Sequence, residues 1–344
     1  MDTQKNVPIY LLSGFLGSGK TTLLTQIVEK AQAAGLTPAV LMNELGEVNF
    51  DGQLVKKDVA MAEVLGGCIC CSMRGDLSLE LNQLLDQYSP DLIIVESTGA
   101  AHPMETIDAI TETSMYKHVK LQSVITIVDG EHLLDRSKLV KDATYRLMQD
   151  QIRCGSLIVL NKSDRLDPEK VVEAEQTLRD LNEHADIITT DHCQLNNWQW
   201  LLEGTQVAQP QLLQALGQQV SSNNDDELDE QQLKEVDLSD VEHKHHHEHS
   251  HHSHVMAYTH YWKGKPHSEQ FEQWLANLPA NIYRAKGIVT FRDVPSRYLF
   301  QFAYRESDFM RVDPQGEVHD VAVFIGEHFD REWLIKQLAM LEER

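Results

Sequence analysis

From Val7 to about Leu216, short β-branched and leucine-rich runs alternate with stretches whose apolar residues recur every three or four positions. The short runs predict strands at Pro8–Ser13, Pro38–Met42, Leu92–Glu96, Ser123–Val128, Leu157–Leu160 and Asp186–Thr189. Helical spacing predicts Lys20–Ala34, Leu77–Gln87, Asp142–Arg153, Pro168–Asn182 and Asn197–Leu216, the second with Leu77, Leu81, Leu84 and Leu85 on one stripe. Strand alternating with helix is the pattern of an α/β fold, a mostly parallel sheet covered on both faces. From Gly217 to His254 the periodicity is lost, and from Val255 it returns. There, strand-like His254–Trp262, Ile282–Phe291, Arg297–Tyr304 and Val321–Ile325 surround helices at Ser268–Leu278 and Asp330–Leu341. The expected organisation is an α/β domain at 1–216, a linker at 217–254 and a smaller α+β domain at 255–344, with no internal repeat.

Composition narrows the function classes. A chain of 344 residues suits about two domains, and 42% hydrophobic residues suffice for a proper core. No run of 18 apolar residues occurs, and Met1 to Asn6 is polar, so the expected location is the cytoplasm. A net charge of −23 opposes binding to nucleic acid or to anionic membranes, which need a basic surface. Part of that charge is local: Asp225 to Glu242 holds nine acids and one lysine, the composition of a solvated segment.

Residues Gly14 to Thr21 read Gly-Phe-Leu-Gly-Ser-Gly-Lys-Thr, a P-loop between a predicted strand and a predicted helix. Gly14, Gly17 and Gly19 let backbone N–H groups wrap phosphates, with Ser18 and Thr22 beside them, and the helix N-terminus adds a favourable dipole. Lys20 is placed to reach the β- and γ-phosphates and Thr21 to hold Mg²⁺. The base is chosen by Asn161-Lys162-Ser163-Asp164 after a late strand. The Asp164 carboxylate can accept from N1–H and N2–H₂ of guanine together, and the Lys162 stem can cover the base, so GTP is expected over ATP. Glu96 ends another strand, where it can orient Mg²⁺, and Gly99 can donate its N–H to a γ-phosphate and move when that leaves. Asp51 occupies a switch position in sequence, a candidate for Mg²⁺ or the attacking water.

Cys68, Cys70 and Cys71 put three of the five cysteines in four residues. Thiolates favour Zn²⁺ or Cu(I), and a tetrahedral zinc needs a further donor, open among Glu44, Glu47 and water. A redox pair and buried structural cysteines are the other readings. Cys154 and Cys193 stand alone and read as packing residues. His243, His245, His246, His247, His249, His251, His252 and His254 place eight imidazoles in twelve residues, a loose metal reservoir or a solvated linker.

With these residues in hand the chain resembles the CobW-type GTPases of the SIMIBI class. The resemblance lies in Gly14–Thr21, in Asn43-Glu44-Leu45-Gly46-Glu47-Val48 followed by Asp51, in Gly67–Cys71, in Glu96–Gly99 with Pro103, in Asn161–Asp164 and in the histidine-rich linker. It continues through Arg284-Ala285-Lys286-Gly287 and Val323-Phe324-Ile325-Gly326, covering Val7 to about Leu341. It implies GTP hydrolysis to GDP coupled to holding a metal at the three cysteines and delivering it to a client metalloprotein. Zinc is the usual metal, but relatives associated with cobalt in cobalamin synthesis and with metallocentre maturation leave it open. Where some relatives carry an acid before the Asn-Glu pair, this chain has Met42, and with about seven residues ahead of the first strand the client-binding extension of some eukaryotic relatives is not expected. No residue reads as an arginine finger, so turnover is expected to be slow unless a client or a homodimer partner supplies one. A nucleotide-gated metal buffer or sensor without a client, and a redox-regulated GTPase, are the competing functions.

Overall fold

The computed structural model describes residues 6–44, 60–65, 73–138, 143–202, 255–303, 305–314 and 318–343. In the N-terminal part, strands β1 (Val7–Ser13), β2 (Pro38–Glu44), β3 (Ala60–Leu65), β4 (Leu92–Ser97), β5 (Val119–Asp129), β6 (Leu157–Asn161) and β7 (Asp186–Thr189) form one sheet in the order β3-β2-β4-β1-β5-β6-β7. Every pairing in it is parallel. Parallel sheets are covered on both faces, which is why β4 and β6 are buried throughout and apolar up to their polar carboxyl ends, Glu96-Ser97 and Asn161. On one face α1 (Lys20–Ala33) lays Leu23, Leu24, Ile27 and Ala31 against Tyr10, Leu12, Val40 and Ile94. On the other, Leu77, Leu81 and Leu84 of α2 (Met73–Tyr88) and Ile107 and Ile110 of α3 (Pro103–Thr113) meet Ile9, Leu11, Ile93 and Val95. Burying each such side chain is worth about 1.5–3 kcal/mol. Helices α4 (Gly130–Ser137), α5 (Ala143–Cys154), α6 (Pro168–Leu181) and the short α7 (Gln199–Leu202) complete the layers.

The strand order reverses beside β1, so the carboxyl ends of β1, β4, β5 and β6 open on one crevice, the place where open α/β sheets bind ligands. Three elements exceed the sequence expectation here: β3, α3 and α4. Strand β3 begins Ala-Met-Ala-Glu, a poor strand sequence, and forms by pairing in register with β2 from Ala39↔Ala60 to Glu44↔Leu65. Helix α3 hides its apolar residues among threonines, one of which, Thr113, shares a buried hydroxyl contact of 3.1 Å with Ser78 of α2. The helix expected over Asn197–Leu216 begins at Gln199 and is described only to Leu202.

The C-terminal part is an antiparallel sheet of β8 (Val255–Tyr261), β9 (Ile282–Thr290), β10 (Arg297–Ala303), β11 (Glu306–Val312) and β12 (Val321–Glu327), in the order β11-β10-β9-β12-β8, with helices α8 (Ser268–Ala276) and α9 (Arg331–Glu343). Strand β11, mostly exposed and without apolar alternation, was not expected; its register with β10 from Ala303↔Glu306 to Arg297↔Val312 creates it. Strand β12 explains how the two parts join. Its Ala322 and Phe324 face the core with α8 and α9, whereas Val323 and Ile325 enter the core of the N-terminal sheet beside Leu77, Ile107 and Ile110. A strand buried on both faces needs no alternation, and Val-Ala-Val-Phe-Ile has none.

Polar contacts fix the seam. Asp108 on α3, 1% exposed, pairs with Arg284 Nη1 at 2.5 Å, and Lys286 Nζ donates to the Asp108 backbone carbonyl at 2.9 Å. Burial lowers the Lys286 pKa, opposed by the charges of Glu112 and Asp108. The Tyr261 hydroxyl donates to the Lys117 carbonyl at 3.0 Å and accepts from Val119 N–H at 3.2 Å, which helps carry β5 back to Val119, four residues ahead of its expected start. Asp108→Ala leaves two cations at the seam without this carboxylate and should lower the unfolding free energy by about 2–4 kcal/mol, somewhat less than the ~3–5 kcal/mol of a fully buried broken pair because Arg284 keeps some water. Chemical denaturation against the parent protein measures it.

Candidate nucleotide site

The loop between β1 and α1 is shaped by residues that other side chains could not replace. Gly19 holds φ at 115°, and a Cβ there would lie 2.5 Å from Asn161 Nδ2 and 3.0 Å from Cys193 Sγ. Gly14 and Gly17 also carry positive φ, 135° and 75°. Helix α1 starts without a side-chain cap and without an acid in its first turn, whereas α3, α4 and α6 each carry one there. Its first-turn N–H groups and positive dipole end are therefore placed for an anion. The Ser18 hydroxyl is buried without a hydrogen-bond partner among the described residues, and Lys20, 8% exposed, donates to the carbonyls of Gly14 at 3.0 Å and Phe15 at 3.3 Å. A buried ammonium, an orphaned hydroxyl and an uncapped helix end in one loop suit phosphate oxygens.

Neighbouring strand ends supply the rest. Thr21 Oγ1 donates to Glu96 Oε1 at 3.3 Å, so the two proposed Mg²⁺ groups do meet. Thr22 is exposed beside them. Asn161 lies in the crevice as a strut: its Nδ2 donates to the Ser18 carbonyl at 2.8 Å while its Oδ1 accepts from Cys193 N–H at 2.9 Å. Lys162 adopts left-handed backbone, φ 61°, and opens the 3-10 turn Ser163–Arg165, which leaves Asp164 exposed at the rim. The Lys162 ammonium is 2.7 Å from Asp129 Oδ2. Gly99 lies against the P-loop, where a Cβ would be 2.6 Å from Leu16 N.

Three participants were not expected from sequence. Asp129 ends β5, is the register partner of Asn161, caps α4 by accepting from His132 N–H, and pairs with Lys162. Burial works against its charge, but the bonds from Lys162 and His132 prevail and hold its pKa below the usual value. An acid at a strand's carboxyl end was the available signal. Cys193 is a packing residue, as expected, but it also packs beneath Gly19 and anchors the loop after β7 to Asn161; burial pushes its thiol up to about 12, as it does that of core residue Cys154. Gln151, buried on α5, reaches the Gly99 loop, and nothing local in its sequence signals this.

Met42, where some relatives carry an acid, is 1% exposed in the core against α1. Glu44 closes β2. Glu47, Asp51, Cys68, Cys70, Cys71 and the tract from His243 to His254 lie outside the described residues.

Residues 8–189, more than half of the chain, match the CobW/HypB/UreG nucleotide-binding domain. The chain belongs to this family. Residues 258–342 match the cobalamin synthesis protein cobW C-terminal domain, so both parts of the molecule have counterparts in it. Among curated family members, the chain is 32% identical over 218 residues to the zinc-regulated GTPase metalloprotein activator 1 of Dictyostelium discoideum, covering 54% of this chain and 46% of that protein. It is 38% identical over 170 residues to the zinc chaperone YeiR of Escherichia coli, covering 49% of each. The chain thus spans about half the length of these two relatives. With the zinc-regulated GTPase metalloprotein activator 1 of Schizosaccharomyces pombe it shares 27% identity over 94% of this chain and 83% of that one.

The Asp129–Lys162 pair predicts an acid-side signature. Because the folded pKa of Asp129 is depressed, its contribution to stability is complete above the unfolded carboxylate pKa, about 4, and is lost as pH falls through the folded value. The stability gap between the parent and Asp129→Asn should therefore be constant above roughly pH 5 and shrink below about pH 4. Unfolding titrations across that range test the sign.

Proposed function

We propose that this chain binds GTP in the crevice, hydrolyses it to GDP, and uses the cycle to hold a transition metal, zinc first, for transfer to a client metalloprotein. The observation that carries the reading is Asn161, whose amide ties the P-loop to the segment bearing Lys162 and Asp164, which supports a phosphate cradle and a base-reading segment side by side. In this reading Lys20, the Ser18 hydroxyl and the α1 N–H groups bind the phosphates, and Asp164 accepts from the guanine edge. Thr21 and Glu96 are oxygen donors of the kind Mg²⁺ takes, and a Mg²⁺ there would neutralise charge on the β- and γ-phosphates. The relatives' names, zinc chaperone and zinc-regulated GTPase metalloprotein activator, support zinc as cargo.

Backbone register supports coupling between the two halves of the function. Asn43 pairs with Ser97 and Met42 with Glu96, so the segment leading away from β2 departs beside the phosphate-side strand end. Glu44 is the register partner of Leu65, and Cys68 follows three residues later in sequence. We assign zinc to Cys68, Cys70 and Cys71, with Glu44 or Glu47 as the completing donor and the histidine tract as a weak store.

Two measurements test this function. Asp164→Asn should weaken GTP binding and admit xanthine nucleotides, whose altered edge suits an amide; unchanged preference for GTP over ATP and XTP would place base reading elsewhere. Chelator competition with GTP analogue or GDP bound should show zinc affinities that differ by about 5- to 150-fold, with the reciprocal effect of zinc on nucleotide, and a triple Cys→Ser variant should lose the difference while keeping GTP. Equal zinc affinity in both nucleotide states sinks the coupled mechanism.

A further inference from the structure

Gln151 belongs to no sequence motif read above, yet it is 1% exposed and turned towards the phosphate side of the site. Its Nε2 donates to the carbonyl of Gly99 at 3.1 Å and to that of Ala101 at 3.4 Å. The backbone beneath it is itself tied down. Thr126 Oγ1 of β5 donates to the Gln151 carbonyl at 2.9 Å, and Asn182 Nδ2 donates to the carbonyls of Ile152 at 2.8 Å and Gly155 at 2.9 Å. The amide therefore reaches the loop from a fixed position on α5.

The loop it holds joins Glu96 to α3. At its start the Ser97 hydroxyl donates to the Leu12 carbonyl at 2.9 Å, and within it Ala101 N–H donates to the Thr98 carbonyl at 3.0 Å. Opposite Gln151, Gly99 rests on the P-loop so closely that a Cβ would strike Leu16 N. A trans peptide sets its N–H opposite its carbonyl, so the bonds to the carbonyls of Gly99 and Ala101 also fix the direction of the Ala100 and His102 N–H groups, the first of which lies 3.4 Å from Thr98 Oγ1, and hold Gly99 itself in place. Pro103 opens α3 two residues later, and α3 carries Asp108 to the C-terminal sheet.

We propose that Gln151 is a positioning residue for the nucleotide reaction, holding the Gly99–Ala101 loop at the distance and orientation at which the Gly99 N–H meets a terminal phosphate. The proposal rests on the reading of Glu96–Gly99 as the phosphate-sensing loop. It gives Gln151 one job in the GTP state and little in the GDP state, because only GTP places a phosphate group for this loop to meet. A purely structural glutamine would serve both states equally.

Two variants of the full chain test it. Gln151→Met keeps the volume and removes both donors. Gln151→Glu keeps the shape, but as a carboxylate it only accepts and repels both carbonyls, while as the acid it donates one hydrogen. In both variants GDP affinity should stay within about two-fold of the parent, while affinity for a non-hydrolysable GTP analogue and turnover fall by roughly ten- to a hundred-fold. Turnover of the Glu variant relative to the parent should rise as pH is lowered, and the same ratio for the Met variant should stay flat. Parallel loss of GDP and analogue affinity, unfolding of both variants, or unchanged turnover would overturn the proposal and leave Gln151 as packing. If the parent protein itself neither binds the analogue nor hydrolyses GTP, the loop reading fails first and takes the proposal with it.

Discussion

The side-chain amide of Asn161 is the point on which the site depends. P-loop, the turn at Ser163–Arg165 and the loop after β7 are far apart in sequence, and each is bound to this one group or follows directly from it. An amide suits the place because it offers a donor and an acceptor on one rigid plane, and here one is aimed at Ser18 O and the other at Cys193 N–H. A buried carbonyl or N–H left unpaired is costly, so the three segments hold one another in place through it. The lack of room at Gly19 is the other side of the same contact: Asn161 and Cys193 occupy the volume a side chain would need.

A second set of contacts extends from the phosphate side to the C-terminal sheet. Glu96 ends β4, the Gly99 loop follows it, α3 follows the loop, and Asp108 on α3 meets Arg284 and Lys286. Around this polar centre Val323 and Ile325 share the core of the N-terminal sheet. The two sheets are thus joined through the helix that begins beside the candidate nucleotide site.

Much of this was legible in the chain itself. The seven-strand sheet was anticipated in six strands because buried parallel strands are written as continuous apolar runs, and the P-loop because tight backbone wrapping demands glycine at fixed spacing. Asn161, Lys162 and Asp164 stood out because they follow a buried strand at motif spacing, and the structure places them at the end of β6 beside the P-loop. By contrast β3 and β11 have weak strand sequences and exist because a neighbour offers a ladder, and α3 is threonine-rich on a face that packs against α2.

What the sequence alone determined, then, is local: where the backbone turns, which runs are buried, and which candidate phosphate and base ligands occur at motif spacing. Only the tertiary structure decided the partners of those residues. Asp129 became the counter-ion of Lys162, Gln151 the anchor of Gly99, Cys193 the floor beneath Gly19, and Asp108 the link to Arg284. The physical reason is that a hydrogen bond or ion pair needs proximity within about 3–4 Å, and between distant residues that proximity is set by strand order and helix packing, which spacing along the chain does not encode.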